Sequence, residues 1–312
     1  MPSAAPRARR GTTQARRVGQ HEAGRPGAVW ALPAALYFVL FALLPLGFAV
    51  WLSFTSYNGI RLAPPRFIGL ENWTRLVADP VVLGSVGTTL TLVVVAVATQ
   101  VPLGLLTGVW AAGPQRFRAV IGALYFIPLL MSTAAVSVLW SSLIDPNFGL
   151  PNALPFLFGD GNLLGDKGSA LGVVAFIYLW GATPLYTLIF QGAARTIPLS
   201  LYQAAQLDGA GIVRQFFSIT LPQLRNTIIT VSILIVVGTF TAFDIILILT
   251  RGGPDNGTAI LPFLMYEQAF VSFDLGYGSA IAVVLVVLAA VVSTVMVKIT
   301  GYADMAGTQE GI

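Results

Sequence analysis

Apolar residues in this chain come in long blocks, and charged residues are confined to the gaps between them. Six blocks carry no charge, or a single one, over lengths that suffice to cross a bilayer. A helix needs about 20 apolar residues to traverse the hydrocarbon layer. The blocks run over about Val29–Phe54, Leu83–Ala112, Val120–Leu143, Ala170–Gln191, Thr227–Leu249 and Gly276–Val297. The pattern predicts an all-α fold: a polytopic membrane helix bundle with six transmembrane helices.

The gap between the fourth and fifth blocks is patterned rather than slack. It reads Arg195-Thr-Ile-Pro-Leu-Ser-Leu-Tyr-Gln-Ala-Ala-Gln-Leu-Asp-Gly-Ala-Gly-Ile-Val-Arg-Gln-Phe-Phe-Ser-Ile-Thr-Leu-Pro222. Ser200 followed by Gln203 fits a capping box, in which hydroxyl and amide satisfy free donors of a helix start. Leu201, Ala204, Ala205 and Asp208 then fall at helical spacing. Gly209 and Gly211 permit a break or a C-cap with positive φ. A second short helix, carrying Phe216, Phe217 and Ile219, is expected to stop before Pro222. The product is a helix–turn–helix over about 198–222, lying across the inner face of the membrane.

Composition agrees with the membrane reading. Only 10% of residues are charged, against roughly 25% in soluble domains, which is too little to cover a water-facing surface. The net charge of +4 does not point to nucleic acid, because Arg7, Arg9, Arg10, Arg16, Arg17 and Arg25 crowd the first 27 residues. Such a tail suits the cytoplasmic side, beside anionic lipid. With the N-terminus inside, the loops obey the positive-inside bias, mostly through this tail, and six spans put both termini inside. The chain divides into a basic tail (1–27), a six-span domain (28–300) and a short cytoplasmic C-terminal tail (301–312). The Arg9-Arg10 and Arg16-Arg17 pairs invite a twin-arginine reading, but the first block is too long for a signal peptide's apolar core and reads as a retained anchor.

Candidate chemistry is sparse. Cysteine is absent and the one histidine, His21, sits in the polar tail. No metal site, catalytic residue or cofactor is expected. Lysine occurs only at Lys167 and Lys298, neither in a phosphate-binding P-loop. Pro33, Pro45, Pro102, Pro128 and Pro184 interrupt blocks and are expected to kink helices. Gly104, Gly108, Gly122 and Gly181 would let helices approach closely. No repeat relates the two halves.

Gln203-Ala-Ala-Gln-Leu-Asp-Gly-Ala210, followed by Phe216, Ile219 and Leu221-Pro222, resembles the coupling motif of ABC importer permeases, Glu-Ala-Ala-x-x-Asp-Gly-Ala with a distal Phe and a closing Ile-x-Leu-Pro. This sequence departs at the first position, where Gln203 replaces the usual glutamate. Other runs resemble the carbohydrate, maltose-type branch and its first permease: Phe67-Ile-Gly-Leu-Glu-Asn-Trp73, Trp180-x-x-x-Pro184, Thr250-Arg-Gly-Gly-Pro254, Tyr266-Glu-Gln-Ala-Phe270 and Gly276-Tyr-Gly-Ser-Ala280. The resemblance covers about residues 30–300. It implies a non-catalytic subunit of a bacterial inner-membrane importer, working with a second related permease, two ATPase subunits and an extracytoplasmic solute-binding protein. It also implies that Gln203, Ala204, Ala205, Asp208, Gly209, Ala210, Phe216, Phe217, Leu221 and Pro222 serve ATPase coupling.

A sugar path through an apolar bundle needs polar groups and aromatic faces. The fourth block offers Tyr178 and Tyr186 beside the small Gly181 and Ala182, and the fifth offers Thr239, Phe240, Phe243 and Asp244. Asp244 is the only ionisable residue well inside a block, a position that defaults to function. The bland alternative is a hydrated carboxylate paired with Arg251. Two other classes stay open: an integral membrane enzyme, which would need a cluster of carboxylates or histidines at one membrane face, and an ion-coupled secondary carrier, which would usually need more intramembrane charge.

Overall fold

The computed structural model describes residues 28–59, 64–113, 116–158 and 161–300. The two tails, with the six N-terminal arginines and His21, lie outside them. Residues up to Gly47 form one compact unit and Phe48 onward a second. The first block becomes α1, Leu32–Leu52. Within the first unit its large apolar side chains are exposed on all sides, as expected of a helix facing lipid.

The second unit is built on α2 (Glu71–Ala78), α3 (Pro80–Ala111), α4 (Arg116–Tyr125), α5 (Thr133–Leu143) and α6 (Lys167–Arg195). These are followed by α7 (Leu199–Leu207), α8 (Ile212–Gln223), α9 (Arg225–Thr239) and α10 (Phe243–Leu249). Then come α11 (Leu261–Tyr266), continued by a π turn over Glu267–Val271, and α12 (Leu275–Thr300). A two-residue antiparallel ladder, β1 (Thr55–Ser56) with β2 (Arg66–Phe67), follows α1.

The long helices start where local chemistry directs. Asp79 caps α3, its Oδ1 accepting from the Val81 N–H at 2.9 Å with Pro80 in the first turn. Asp166 caps α6 in the same way, accepting from Gly168. The broadest helix pairing is α3 with α6. The two run parallel, with Thr107 beside Thr187 (2.8 Å) and the Gln191 side-chain amide donating to the Ala111 carbonyl (3.0 Å). The close approach rests on Gly104 and Gly108. A Cβ at Gly108 would lie 2.7 Å from Phe190 Cβ and 2.8 Å from the Thr187 carbonyl oxygen. Gly122 and Gly181 do not have this role, since a Cβ there meets nothing nearer than 3.7 Å and 3.9 Å.

Two predicted spans are broken. The third block separates into α4, a short turn over Ile127–Leu130 and α5. Pro128 opens the short turn, and the Ser132 hydroxyl caps α5 by accepting from Ala135. Each starts a new helix instead of bending an old one. The fifth block breaks between Thr239 and Phe243, where neither proline nor glycine stands. Here the hydroxyls of Thr239 and Thr241 donate to the carbonyls of Ile235 and Gly238, both at 2.8 Å. Side chains bonded to the backbone in this way compete with the helical ladder.

The motif runs after α1 and at the start of α12 meet at one end of the unit. The buried Asn72 amide donates to the carbonyls of Ser53 and Thr55, both at 2.9 Å. A Cβ on Gly276 would collide with the same Thr55 carbonyl. Arg75 pairs with Asp274 at 2.7 Å and lies over the Tyr277 ring, whose hydroxyl donates to Asp79 at 2.8 Å. These runs therefore fasten the starts of α3 and α12 to the turn after α1. The helix α11 was not expected from the sequence. Its first residues are buried, and the Leu261 N–H donates to the Thr89 hydroxyl of α3 at 3.0 Å.

Candidate functional site

The patterned gap folds as a helix–turn–helix. α7 carries Gln203, Ala204 and Ala205 and ends at Asp208. Gly209 takes φ +74°. The Gly209 N–H donates to the Gln206 carbonyl at 3.0 Å and the Ala210 N–H to the Ala205 carbonyl at 2.8 Å. This is a Schellman closure, which glycine favours because it lacks a Cβ. Gly211 does not share the role; it precedes α8 with φ −69°. The Gln215 side chain donates to the Ala210 carbonyl (2.7 Å), and the hydroxyls of Tyr202 and Thr220 bridge α7 to α8 at 2.8 Å.

Two expectations for this segment need correction. The capping box does not form: α7 starts after Pro198, with no side-chain cap bond, and Ser200 sits inside the helix. Gln203 is exposed, with no side-chain bond among the described residues. The second helix does not stop before Pro222 but continues to Gln223 and then turns by 67° at Leu224. A π turn over Phe216–Thr220 makes this possible: the Leu221 N–H bonds to the Phe216 carbonyl, and the widened turn relieves the clash of a proline ring with the preceding turn. The two phenylalanines also differ. Phe216 packs against the core, with Leu221, whereas Phe217 is 61% exposed. The most exposed apolar groups flank the turn itself: Leu207 at 91%, Ile212 at 86% and Val213 at 71%. Sequence reasoning passed over these three. The only signal was their place beside Gly209, Ala210 and Gly211.

The path candidates fall into two groups. Tyr178 and Tyr186 of α6 meet α9. The Tyr178 hydroxyl lies 3.2 Å from Thr239 Oγ1, and both tyrosine hydroxyls would sit 3.4 Å from a Cβ on Gly238. A cavity of about 310 Å³ opens beside them, lined by Tyr178, Gly181, Ala182, Met131, Thr133 and Ile245 among others. Thr239 is fully buried, and Phe240 packs in a small cluster with Val93 and Val236. Phe243 and Asp244 lie beyond the break, in the first turn of α10. The Phe243 ring packs 5.5 Å from Tyr266. Asp244 is half-buried and forms no ion pair with Arg251 or any other described residue.

One residue that the sequence reading missed is Gln100, in the middle of α3. It is fully buried, and neither end of its amide has a partner among the described residues. Its only signal was a long polar side chain inside an uncharged block.

Residues 100–301 match the family described as binding-protein-dependent transport system inner membrane component. The chain is 31% identical to a probable ABC transporter permease of Bacillus subtilis, over 86% of this chain and 93% of that one. It is 31% identical to the diacetylchitobiose uptake system permease of Streptomyces coelicolor, over 83% and 77%. It is 30% identical to the trehalose transport system permease of Mycobacterium tuberculosis, over 89% and 90%. Among solved structures, a chain of a bacterial ABC transporter that imports the acidic polysaccharide alginate superposes with TM-score 0.74 at 18% identity, over 87% of this chain and 93% of that one. The chain is therefore a multi-pass inner membrane permease belonging to the binding-protein-dependent transport system inner membrane component family.

Proposed function

We propose that this chain is one permease of an ATP-driven sugar importer, paired with a second related permease and two ATPase subunits. It receives its cargo from an extracytoplasmic binding protein and performs no chemistry itself. The observation that carries this reading is the helix–turn–helix of α7 and α8, whose apolar tip is exposed and has nothing to pack on among the described residues. The segment resembles the coupling motif, and the tip residues Leu207, Ile212 and Val213 would enter a cleft on the ATPase. Closure of the two ATPases on ATP then draws the coupling segments together, and hydrolysis resets them. The sugar class rests on the diacetylchitobiose and trehalose permeases among the relatives.

Purified alone in proteoliposomes, the chain should neither hydrolyse ATP nor carry sugar. The complex co-reconstituted with partner permease, ATPase and binding protein should do both, with hydrolysis in the ATPase subunits. Sugar uptake by this chain alone would refute the assignment.

We further propose that the α7–α8 turn and both termini face the cytoplasm, in line with the positive-inside bias. In a chain that has no native cysteine, Phe148→Cys should react with a membrane-impermeant maleimide added to intact cells. Leu207→Cys should react only after lysis. The opposite labelling pattern would invert the topology.

A further inference from the structure

The motif run Tyr266-Glu-Gln-Ala-Phe270 has no part in the function described so far, yet the structure places it in an unusual setting. The rings of Phe243, Tyr266 and Phe270 form a consecutive series, with centroids 5.5 Å and 5.8 Å apart and planes tilted by 37° and 35°. Phe270 is 58% exposed, and the other two rings are half-buried. A cavity of about 480 Å³ lies beside α10 and α11, lined by Arg251, Phe263, Tyr266, Glu267 and aliphatic side chains; Phe243 and Phe270 are not in its lining and adjoin it through their contacts with Tyr266. That volume is within the range of about 300–1,000 Å³ typical of small-molecule sites.

The charged groups here are uncommitted. The two charged groups of the lining, Arg251 and Glu267, form no ion pair and no side-chain hydrogen bond among the described residues. Arg251 is exposed and Glu267 half-buried, so both are open to a ligand that enters. A purely aliphatic ligand would use neither. A cation would suit the carboxylate but not the guanidinium. A saccharide suits the whole set. Its C–H faces lie on aromatic rings, and its hydroxyls both donate to carboxylates and accept from a guanidinium. One carboxylate against one guanidinium leaves the lining without net charge, so it offers an acidic sugar no excess counter-charge.

We propose that Phe243, Tyr266 and Phe270, together with Arg251 and Glu267, form a binding site for a neutral saccharide on this permease. The inference rests on the sugar reading given above. It adds a location, a set of contacting residues and a charge preference.

The test uses the complete complex in proteoliposomes with its binding protein and ATP. The probes are labelled trehalose, diacetylchitobiose and an alginate trisaccharide. At least one neutral sugar should be taken up, and the alginate trisaccharide should not. Tyr266→Leu should lower the uptake rate of the carried sugar about tenfold, whereas Tyr266→Phe, which keeps the ring, should stay within about twofold. Co-purification of the ATPase checks that each variant assembles. If Tyr266→Leu fails to assemble, Phe270→Leu replaces it, because that exposed ring contributes little to folding, and it should show the same loss. Uptake of a neutral sugar at the wild-type rate by the ring-less variant would overturn this site while leaving the sugar reading intact. Uptake of the alginate trisaccharide at the neutral-sugar rate would overturn the charge preference. If the wild type carries none of the three, the sugar reading falls and this site falls with it.

Discussion

Gly108→Val should leave almost no assembled permease in the membrane. A Cβ at this position would lie 2.7 Å from Phe190 Cβ, 2.8 Å from the Thr187 carbonyl oxygen and 2.9 Å from the Gln191 nitrogen. Non-bonded carbons rest at about 3.5–4.0 Å. All three obstacles are backbone or Cβ atoms, so no rotamer change relieves them and α6 itself has to move away. That movement would part the broadest helix pairing in the unit. It would also stretch the Thr107–Thr187 contact and the bond from Gln191 to the Ala111 carbonyl. Overpacking a core costs about 1–3 kcal/mol, and more where backbone blocks the way. A typical domain has only about 5–15 kcal/mol of stability in all. Gly104→Ala meets contacts of 3.3–3.5 Å and should cost less, and Gly122→Ala, with its nearest neighbour at 3.7 Å, should be tolerated. Size-exclusion profiles of detergent-solubilised, fluorescently tagged variants would give the ranking. A Gly108→Val peak as high as that of Gly122→Ala would show that α3 and α6 do not pack as described.

The same contrast shows what the sequence could reveal. Four glycines were equally good candidates for close approach, because the chemistry of a small residue is visible in the sequence but its neighbour is not. Only the register of α3 against α6 selects Gly104 and Gly108. The long blocks located α1, α3, α6 and α12 to within a few residues, since length and apolarity are themselves the physical requirement for crossing a bilayer. The interruptions were harder to read. Pro128 reads as a kink in one helix, but it opens a short turn of its own, and the Ser132 hydroxyl then caps a fresh helix. The break at 240–242 depends on whether threonine hydroxyls bond back to the backbone, a competition that spacing does not decide. α11 was missed because about one and a half turns of α-helix are too short to register as a span. Its burial comes from the partners it meets, Thr89 among them. At the candidate path, the Tyr178–Thr239 pairing joins two residues that the sequence had picked out separately, and Asp244 turned out to open a short helix. An acidic residue in the first turn is favoured by the helix dipole, so its position is less costly than the middle of a span would be.

In the helix–turn–helix, the turn was legible and the docking face was not. Gly209 marked the turn because glycine takes positive φ without a steric cost. Phe216 and Phe217 had seemed the natural groups to fill a cleft, but Phe216 faces the core and the exposed apolar tip lies at Leu207, Ile212 and Val213. This moves the expected centre of ATPase contact. Leu207→Asp and Ile212→Asp should each release the ATPase from the purified complex and abolish ATP-driven uptake. Central apolar anchors of an interface typically contribute at least about 2 kcal/mol each, a factor of about 30 in affinity, and a carboxylate forced into the same pocket adds a desolvation penalty. Phe216→Ala should retain the ATPase, because its ring packs within this chain. Gln203→Ala should be mild, since no cap is lost and the side chain has no partner among the described residues. Gly209→Val falls between these extremes. Nothing lies within 4 Å of a Cβ there, so the whole effect is backbone strain of about 1–2 kcal/mol in the left-handed region, with a reoriented tip. Densitometry of ATPase retained per permease, alongside sugar-stimulated hydrolysis, measures each step of this order. Stoichiometric ATPase on the Leu207→Asp complex, with loss on Phe216→Ala instead, would place the coupling contact on the core-facing side of α8 and remove the tip from it.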